Sequence, residues 1–265
     1  FTQRRCKYLN EINESIDFYA KLLKVPTFRN YEEIVRQLDK KAGYGDFLLE
    51  VMKNEYDARQ AATRNRAVKA AKFPYLKTYD ELDLSRFEHI DEAYMNELAT
   101  CDFIKQRKNI VMIGNPGTGK THLSIALGIN ACKLGMKVRF FTAANLANSL
   151  IEAQDNKSLM RLEKQLEKAD LLIIDELSYL TFNLHQSELL FKIISDRAER
   201  QSVIVSTNLK FSDWTSMFEN KTMVAALVGR LTFMSHVLNM NSDNPYRDEH
   251  AAVIDKGRKG AKKNV

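Results

Sequence analysis

The sequence predicts an α/β domain, built on a parallel sheet flanked by helices, that follows a small all-α amino-terminal domain. In residues 1–72 apolar side chains recur every three or four positions, which is the spacing of one helix face. From residue 109 onward, short apolar runs alternate with helical segments, as expected of parallel strands joined by helical crossovers. We therefore divide the chain into a helical domain at 1–72, an α/β domain at 73–250 and a basic tail at 251–265.

Three helices are predicted in the first domain. The first ends before Pro26, and its apolar stripe consists of Tyr8, Ile12, Ile16, Tyr19 and Leu23. The second covers "YEEIVRQLDKKA", and Gly43 supplies its stop. The third begins near Asp46 and runs into an Ala- and Arg-rich stretch. Pro74, within "KFPYLKTYDELDL", interrupts the helical pattern and marks the domain boundary.

Five runs in the second domain are predicted strands: "NIVMI", "KVRFFT", "DLLIID", "SVIVST" and "HVLNM". Their apolar side chains are continuous rather than alternating, which is typical of strands covered by helices on both faces. The helical segments between them supply the crossovers. The predicted architecture is a doubly wound parallel sheet.

The composition favours a soluble, cytoplasmic protein without a membrane role. Of 265 residues, 45% are hydrophobic and 28% charged, and no stretch approaches the roughly 18 uninterrupted apolar residues of a membrane helix. The first residues offer no apolar signal region. Cys6, Cys101 and Cys132 are widely spaced and lack a CxxC pair or a zinc-type His spacing, so we interpret them as reduced thiols.

The net charge of +6 is a moderate indication of a polyanionic partner. Two segments, 59–72 and 256–265, carry basic but no acidic side chains. The candidate contacts to DNA phosphates in the first segment are Arg59, Arg64, Arg66 and Lys69. A solvated helix face and a disordered tail would explain the same charges equally well.

The stretch "GNPGTGKT", residues 114–121, fits the phosphate-binding pattern GxxxxGK[ST]. It follows a predicted strand and opens a predicted helix, where backbone N–H groups can surround phosphates. Lys120 is expected to reach the β- and γ-phosphates of ATP, and the Thr121 hydroxyl to bind Mg²⁺. The predicted nucleotide contacts are Gly114, Asn115, Pro116, Gly117, Thr118, Gly119, Lys120, Thr121 and His122.

A second signal is "LLIIDE", in which Asp175 lies 55 residues beyond Lys120. A carboxylate at the end of a buried strand matches the Walker B arrangement, which holds Mg²⁺ through its water shell. Glu176 can orient and polarise the water that attacks the γ-phosphate, so the pair favours hydrolysis of ATP. The same two acidic residues could instead be the favourable start of a helix.

Two further candidates lie toward the carboxyl end. Asn208, directly after "VIVST", fits the sensor of AAA+ ATPases, although an Asn after a strand can be a turn residue only. Arg230 in "AALVGRLTF" could act as an arginine finger on the nucleotide of a neighbouring subunit, or it could be an ordinary helix-surface arginine.

The ordered set of motifs resembles the IstB family of AAA+ ATPases from IS21-class insertion sequences, relatives of the helicase loader DnaC. The landmarks that carry the resemblance are "FPYLKT", "LATCDFI", "GNPGTGKTHLSIALG", "DLLIIDELSYL", "VIVSTNLKFSDW" and "ALVGRLTFMSHVLNM". They cover most of the chain, and "FLLEVMKNEYDAR" is similar to the helical domain of that family. Asn115 departs from the family pattern, in which Pro is common, at a position that contributes mainly backbone.

The resemblance implies a transposition helper that uses ATP and Mg²⁺ and forms homo-oligomers with ATP at the subunit interfaces. Such a helper assembles on double-stranded DNA, distorts it and presents it to the transposase of the same element. Segment 143–169 resembles the helical element with which related ATPases line nucleic acid, and its candidate contacts are Lys157, Arg161 and Lys164. A solvated face remains the alternative for that element. The few residues after "NMNSDNPYRDE" lead us to expect a reduced or absent carboxyl-terminal lid.

Two other functions share parts of this pattern. A helicase loader of the DnaC type shares the ATPase core, and co-purification with a replicative helicase rather than a transposase would identify it. A small-molecule phosphotransferase shares the phosphate-binding loop but would need an acceptor-binding lid, which the sequence does not reveal.

Overall fold

The computed structural model describes residues 2–39, 41–87, 90–177, 182–216, 218 and 220–241. The chain divides into two compact units, a helical unit at Phe1–Arg66 and a sheet unit at Ala67–Val265. The division lies inside one long helix, six residues before the boundary predicted from Pro74. Ala71, at the end of that helix, is fully buried in the core of the sheet unit, which explains why the last turns of the helix belong with the sheet. The predicted basic tail at 251–265 lies outside the described residues, as does the region in which a lid would follow.

The helical unit contains the three predicted helices. Their bounds are α1 Thr2–Leu22, α2 Tyr31–Gln37 and α3 Tyr44–Ala71, with a 3-10 helix at Pro26–Asn30. Buried Glu55 joins α3 to the 3-10 helix: its carboxylate accepts hydrogen bonds from the Thr27 backbone N–H at 3.1 Å and the Thr27 hydroxyl at 2.6 Å. Burial raises the pKa of Glu55, but these bonds and the ion pair with Arg59 outweigh burial and lower it overall.

The sheet unit is built on five parallel strands, and all five predicted runs are confirmed as strands. Their bounds are β1 Asn109–Ile113, β2 Val138–Thr142, β3 Leu171–Asp175, β4 Ser202–Thr207 and β5 Ser235–Asn239. The spatial order is β2-β3-β4-β1-β5. Because every pair is parallel, all carboxyl ends lie at one edge of the sheet, where Thr142 lies opposite Asp175 and Ile113 opposite Thr207.

Helices cover both faces of this sheet. Further helices are α4 Glu92–Ala99, α5 Asp102–Lys105, α6 Lys120–Lys133, α7 Ala143–Asp155, α8 Leu159–Glu167, α9 Leu184–Arg200 and α10 Lys221–Thr232. Ile173 packs into the core formed with α4, α5 and α6, whereas its neighbours Leu172 and Ile174 pack into the core formed with α7, α9 and α10. A strand with two buried faces needs apolar side chains at successive positions, which is the physical reason for the continuous runs in the sequence.

Two predicted reduced thiols are confirmed as free cysteines. Cys101 and Cys132 are both buried in the sheet unit. Burial raises the pKa of the Cys101 thiol to about 12 and that of Cys132 to about 11. Both thiols are therefore protonated and unreactive at neutral pH. None of the helices in the described part of the chain combines the length and the apolar character that crossing a bilayer requires.

Candidate nucleotide-binding site

The loop between β1 and α6 has the backbone shape that close approach to phosphates requires. Gly117 and Gly119 adopt φ values of 84° and 90°, a left-handed region that side chains other than glycine rarely enter. At Gly114 a Cβ atom would lie 2.8 Å from the carbonyl carbon and oxygen of Met240, at the end of β5. Backbone geometry thus accounts for all three glycines of the loop, the two pattern positions Gly114 and Gly119 and the intervening Gly117.

Lys120 is the first residue of α6 and its side chain is buried against this loop. Its Nζ donates hydrogen bonds to the carbonyl oxygens of Gly114 at 2.6 Å and Asn115 at 2.7 Å. The backbone N–H of Asn115 donates in turn to the Asn241 side chain at 3.0 Å. The ammonium group is therefore held at the loop, beside the N–H groups that begin α6, which is a favourable site for an anion.

Asp175, at the end of β3, is brought next to Thr121 from the start of α6. The Thr121 hydroxyl donates to Asp175 Oδ2 at 2.9 Å, and the Ser206 hydroxyl of β4 donates to Asp175 Oδ1. Asp175 is only 2% exposed, so these bonds satisfy the hydrogen-bonding capacity of a buried carboxyl group. In the described part of the chain no three His, Cys, Asp or Glu side chains cluster as metal ligands. One carboxylate and one hydroxyl beside a phosphate loop fit Mg²⁺, which keeps several waters and takes substrate phosphates as its other ligands.

Glu176 follows Asp175 in a strained backbone conformation. Its φ of 58° is left-handed, which costs roughly 1–2 kcal/mol for a residue with a Cβ. Two hydrogen bonds hold it there, from the Glu176 N–H to Ser206 Oγ and from the Leu177 N–H to the Ser206 carbonyl, each at 3.0 Å. Glu176 is exposed and lies at the edge of the sheet that carries the phosphate loop, and backbone strain of this kind is frequent at functional sites. Asn208 follows β4 at the same edge, one residue beyond Thr207, and is partly buried.

Residues preceding β1 also flank the loop, and sequence reasoning did not identify them. His122, a predicted nucleotide contact, has its Nε2 atom 3.0 Å from the carbonyl oxygen of Thr78. Thr78 begins a 3-10 helix at Tyr79–Glu81 with a capping box, and its N–H donates to Glu81 at 2.7 Å. The Phe87 ring lies 3.5 Å from where a Cβ on Gly119 would be. The sequence signal that could have revealed this segment is "TYDE", which has the Ser/Thr-x-x-Glu spacing of a capping box.

Arg230 does not lie with the other candidates. It is in the last turn of α10, which leads into the amino end of β5, whereas the phosphate loop follows the carboxyl end of β1. The two strands are parallel and paired over five residues, Asn109–Ile113 with Ser235–Asn239, so the two edges are roughly 16 Å apart. Arg230 therefore cannot reach a nucleotide bound by its own loop.

The candidate DNA contacts have different local environments. On α3, Arg59 bonds Glu55 and the Lys24 carbonyl, both at 2.6 Å, which makes it part of the packing of the helical unit. Arg66 bonds Ala62 and Thr63 within its own helix, while Arg64 and Lys69 are exposed.

The candidates of segment 143–169 lie at the surface of the sheet unit. Lys157 precedes α8, Arg161 and Lys164 are on it, and all three are exposed. Buried Arg197 of α9 bonds the carbonyls of Leu166 and Ala169 and so fixes the carboxyl end of α8.

Replacing Ser206 by Ala should lower both the stability of the protein and any ATP turnover. The change removes a hydroxyl that donates to a buried carboxylate and accepts the Glu176 N–H, so we expect a loss of about 1.5–3 kcal/mol in the free energy of unfolding. Urea unfolding, followed by the fluorescence of the single and fully buried Trp214, measures this loss. The matched control is Ser195→Ala, because the buried Ser195 hydroxyl has no hydrogen-bond partner in the described structure. Equal effects of the two changes would contradict the role of Ser206.

Comparison with known proteins identifies the family. Residues 20–252 match the family described as IstB-like ATP binding protein. A protein of insertion sequence IS21 from Pseudomonas aeruginosa, named for ATP binding, is 33% identical over 214 residues, which are 80% of this chain and 81% of that protein. A protein of insertion sequence IS5376 from Geobacillus stearothermophilus, also named for ATP binding, is 33% identical over 76% of this chain and 80% of that protein.

Two solved structures have a similar fold. The DnaC helicase loader aligns with a TM-score of 0.50 at 22% identity, over 66% of this chain and 98% of that chain. AMPPCP-bound DnaA from Aquifex aeolicus aligns with a TM-score of 0.55 at 18% identity, over 73% of this chain and 58% of that chain. At these identities the likeness concerns the fold alone, and it confirms the predicted P-loop AAA+ architecture. The family match covers most of the chain and agrees with the phosphate loop and the strand-end carboxylates. The chain therefore belongs to the IstB-like ATP-binding protein family.

Proposed function

We propose that this protein is an ATP-dependent transposition helper that hydrolyses ATP, assembles with copies of itself on double-stranded DNA and stimulates a separate transposase. The observation that carries the proposal is the division of the ATPase residues between two edges of the sheet. Lys120, Thr121, Asp175 and Glu176 lie at the carboxyl edge, and Arg230 lies at the opposite edge. One chain therefore supplies only part of a complete site.

In this proposal the phosphate loop binds ATP. Lys120 donates to the β- and γ-phosphates, and Thr121 and Asp175 hold Mg²⁺. Bound Mg²⁺ would neutralise charge that develops on the phosphates during hydrolysis. The 2.9 Å hydrogen bond between Thr121 and Asp175 supports this assignment, because it holds two oxygen ligands side by side.

Hydrolysis is assigned to Glu176 and Asn208. The Glu176 carboxylate accepts a proton from the attacking water, and the Asn208 amide orients that water against the γ-phosphate. The strained, hydrogen-bonded backbone of Glu176 supports the first role, since strain of this kind is characteristic of functional positions.

Assembly brings Arg230 of one copy to the nucleotide of the next. Phe233 and Met234, which follow Arg230 closely, are 71% and 56% exposed, and apolar side chains exposed together are typical of protein contacts. A homo-oligomer with ATP at its subunit interfaces accounts for both the distant arginine and the exposed apolar residues.

Double-stranded DNA is the proposed partner of the basic surfaces, and the transposase of the same element is the proposed protein partner. The names of the curated relatives, which assign them to insertion sequences, support transposition. The likeness to DnaC extends to the fold only and does not favour helicase loading. Co-purification with a transposase supports the proposal, and co-purification with a replicative helicase opposes it.

The function is tested by titrating a fluorescently labelled DNA duplex with the protein at several salt concentrations, with ATP, with ADP and without nucleotide. We expect tight binding with ATP only. Replacing both Arg64 and Lys69 by Glu should weaken DNA binding and make it less dependent on salt. The logarithm of the binding constant falls linearly with the logarithm of the salt concentration, and each lost phosphate contact reduces the steepness of that line by about 0.9. The control reverses Lys133 and Lys137, which changes the net charge equally. Binding that is absent with ATP overturns the proposal, and an unchanged slope in the Arg64 and Lys69 variant removes this helix from the DNA surface.

A further inference from the structure

Arg230 is held by two side chains of the neighbouring helix α9. Its Nε atom donates to Glu199 Oε1 at 2.8 Å, and its guanidinium carbon lies 5.6 Å from the centre of the Phe191 ring. Phe191 is partly buried in the core under α9, so the ring is a fixed surface for the arginine. The Arg230 side chain is therefore restrained both at its edge and on its face.

This pair is poorly suited to stabilising the fold. The side chains of Arg230 and Glu199 are 42% and 58% exposed, and ion pairs so accessible to water contribute little to stability. A long arginine side chain also loses much rotamer freedom when it is held in one place. A restraint that adds little stability suggests a role in orienting the guanidinium.

The bond with Glu199 leaves the two terminal nitrogens of the Arg230 guanidinium available to bind phosphate. Only Nε takes part in the bond with Glu199, and in the described part of the chain neither terminal nitrogen of Arg230 has a hydrogen-bond acceptor. Those two nitrogens carry four of the five N–H groups of a guanidinium and are the fork that matches phosphate oxygens. If Glu199 instead accepted hydrogen bonds from both terminal nitrogens, it would block the arginine from binding phosphate, but Glu199 bonds Nε.

We infer that Glu199 and Phe191 are positioning residues that orient Arg230 before it meets the γ-phosphate bound by a neighbouring copy. Because Arg230 is already oriented, less side-chain freedom is lost when subunits assemble, and the guanidinium enters the shared site in the correct plane. The inference rests on the proposed function, in which Arg230 completes the site of another subunit. It adds that α9, which supplies no nucleotide contact itself, controls how well that site works.

The first experiment compares Glu199→Ala with Glu199→Gln in ATP turnover by the full chain with duplex DNA. We expect Glu199→Ala to lower kcat about tenfold with little change in KM for ATP, since misplacing a catalytic group affects the transition state more than binding. Glu199→Gln should retain most of kcat, because the amide oxygen can accept the same Nε–H bond. Asp196→Ala, on the same helix and also exposed, is the control and should behave as wild type.

The second experiment mixes Glu199→Ala protein with Lys120→Ala protein. The Glu199→Ala copies retain the phosphate loop, and the Lys120→Ala copies retain a correctly held Arg230. Adjacent copies in a mixed assembly therefore form complete sites, and turnover should exceed the sum of the two proteins assayed separately. A residue that only maintains its own fold would give no such gain.

Several results would overturn the inference. A higher turnover of Glu199→Ala would mean that Glu199 sequesters Arg230, and equal losses in the Ala and Gln variants, or no gain on mixing, would also contradict positioning. Arg230→Ala separates this failure from that of the proposed function. If the Arg230→Ala protein turns over ATP as wild type does, the proposal of a shared ATP site is wrong. If Arg230→Ala is inactive and Glu199→Ala is fully active, only the positioning role of Glu199 fails.

Discussion

Replacing Glu176 by Gln should leave ATP binding intact and lower ATP turnover by about two to four orders of magnitude. The amide keeps the size of the side chain but cannot take a proton from water, and a positioned general base contributes on the order of 10²–10⁴ in rate. Backbone hydrogen bonds to Ser206 hold Glu176 in its left-handed conformation, and the substitution leaves them in place. Phosphate release measures turnover, and a fluorescent ATP analogue measures affinity.

The control for this prediction is Glu188→Gln, which removes the same charge from an exposed position on α9. It should affect neither turnover nor affinity. The Glu176→Gln protein should also remain assembled on duplex DNA with ATP for longer than wild type, because the bound ATP is not consumed. Wild-type turnover by the Glu176 variant would exclude this carboxylate as the base.

Replacing Lys120 by Ala should weaken ATP binding by about 100-fold or more. The ammonium group would make two charge-assisted hydrogen bonds to phosphate oxygens, each contributing about 1.5–3 kcal/mol, and every 1.4 kcal/mol corresponds to a factor of ten in affinity. The substitution also removes the donor that holds the carbonyls of Gly114 and Asn115, so the loop itself loses order as well. Isothermal titration with ATP and Mg²⁺ gives the affinity directly.

Lys133→Ala is the matched control, because Lys133 ends the same helix that Lys120 begins and its side chain is exposed. It should bind ATP as wild type does. Circular dichroism of the Lys120 variant establishes that the sheet is still formed. An unchanged affinity in a folded Lys120→Ala protein would contradict the assignment of the loop as the phosphate site.

Much of the sheet unit could be predicted because its signals are local. The run 171–174 is apolar at every position since both of its faces are buried, and the same reason applies to the other strands. Gly117 and Gly119 are required by the left-handed backbone of the loop itself. The phosphate-binding pattern can therefore be recognised without knowledge of any distant residue. By contrast, α4 and α5 were not predicted, since they are short helices whose formation depends on packing against the sheet.

The candidate site was predicted in part, and the omissions have a common cause. Ser206 reads as an ordinary strand residue, although it bonds both Asp175 and Glu176. Asn241 is likewise distant in sequence from Asn115 of the loop, and Thr78 is distant from His122 of α6. In the sequence Arg59 is as plausible a DNA contact as its basic neighbours, but in the structure its side chain bonds Glu55 and the Lys24 carbonyl.

Residues that are adjacent or regularly spaced in the chain were enough to predict the strands, the phosphate loop, the strand-end carboxylates and the family resemblance. The folded chain was needed to place Arg230 at the opposite edge of the sheet from Lys120 and to reveal its contacts with Glu199 and Phe191. The order and direction of the strands fix those distances, and they depend on how distant segments pack rather than on any short stretch of the chain.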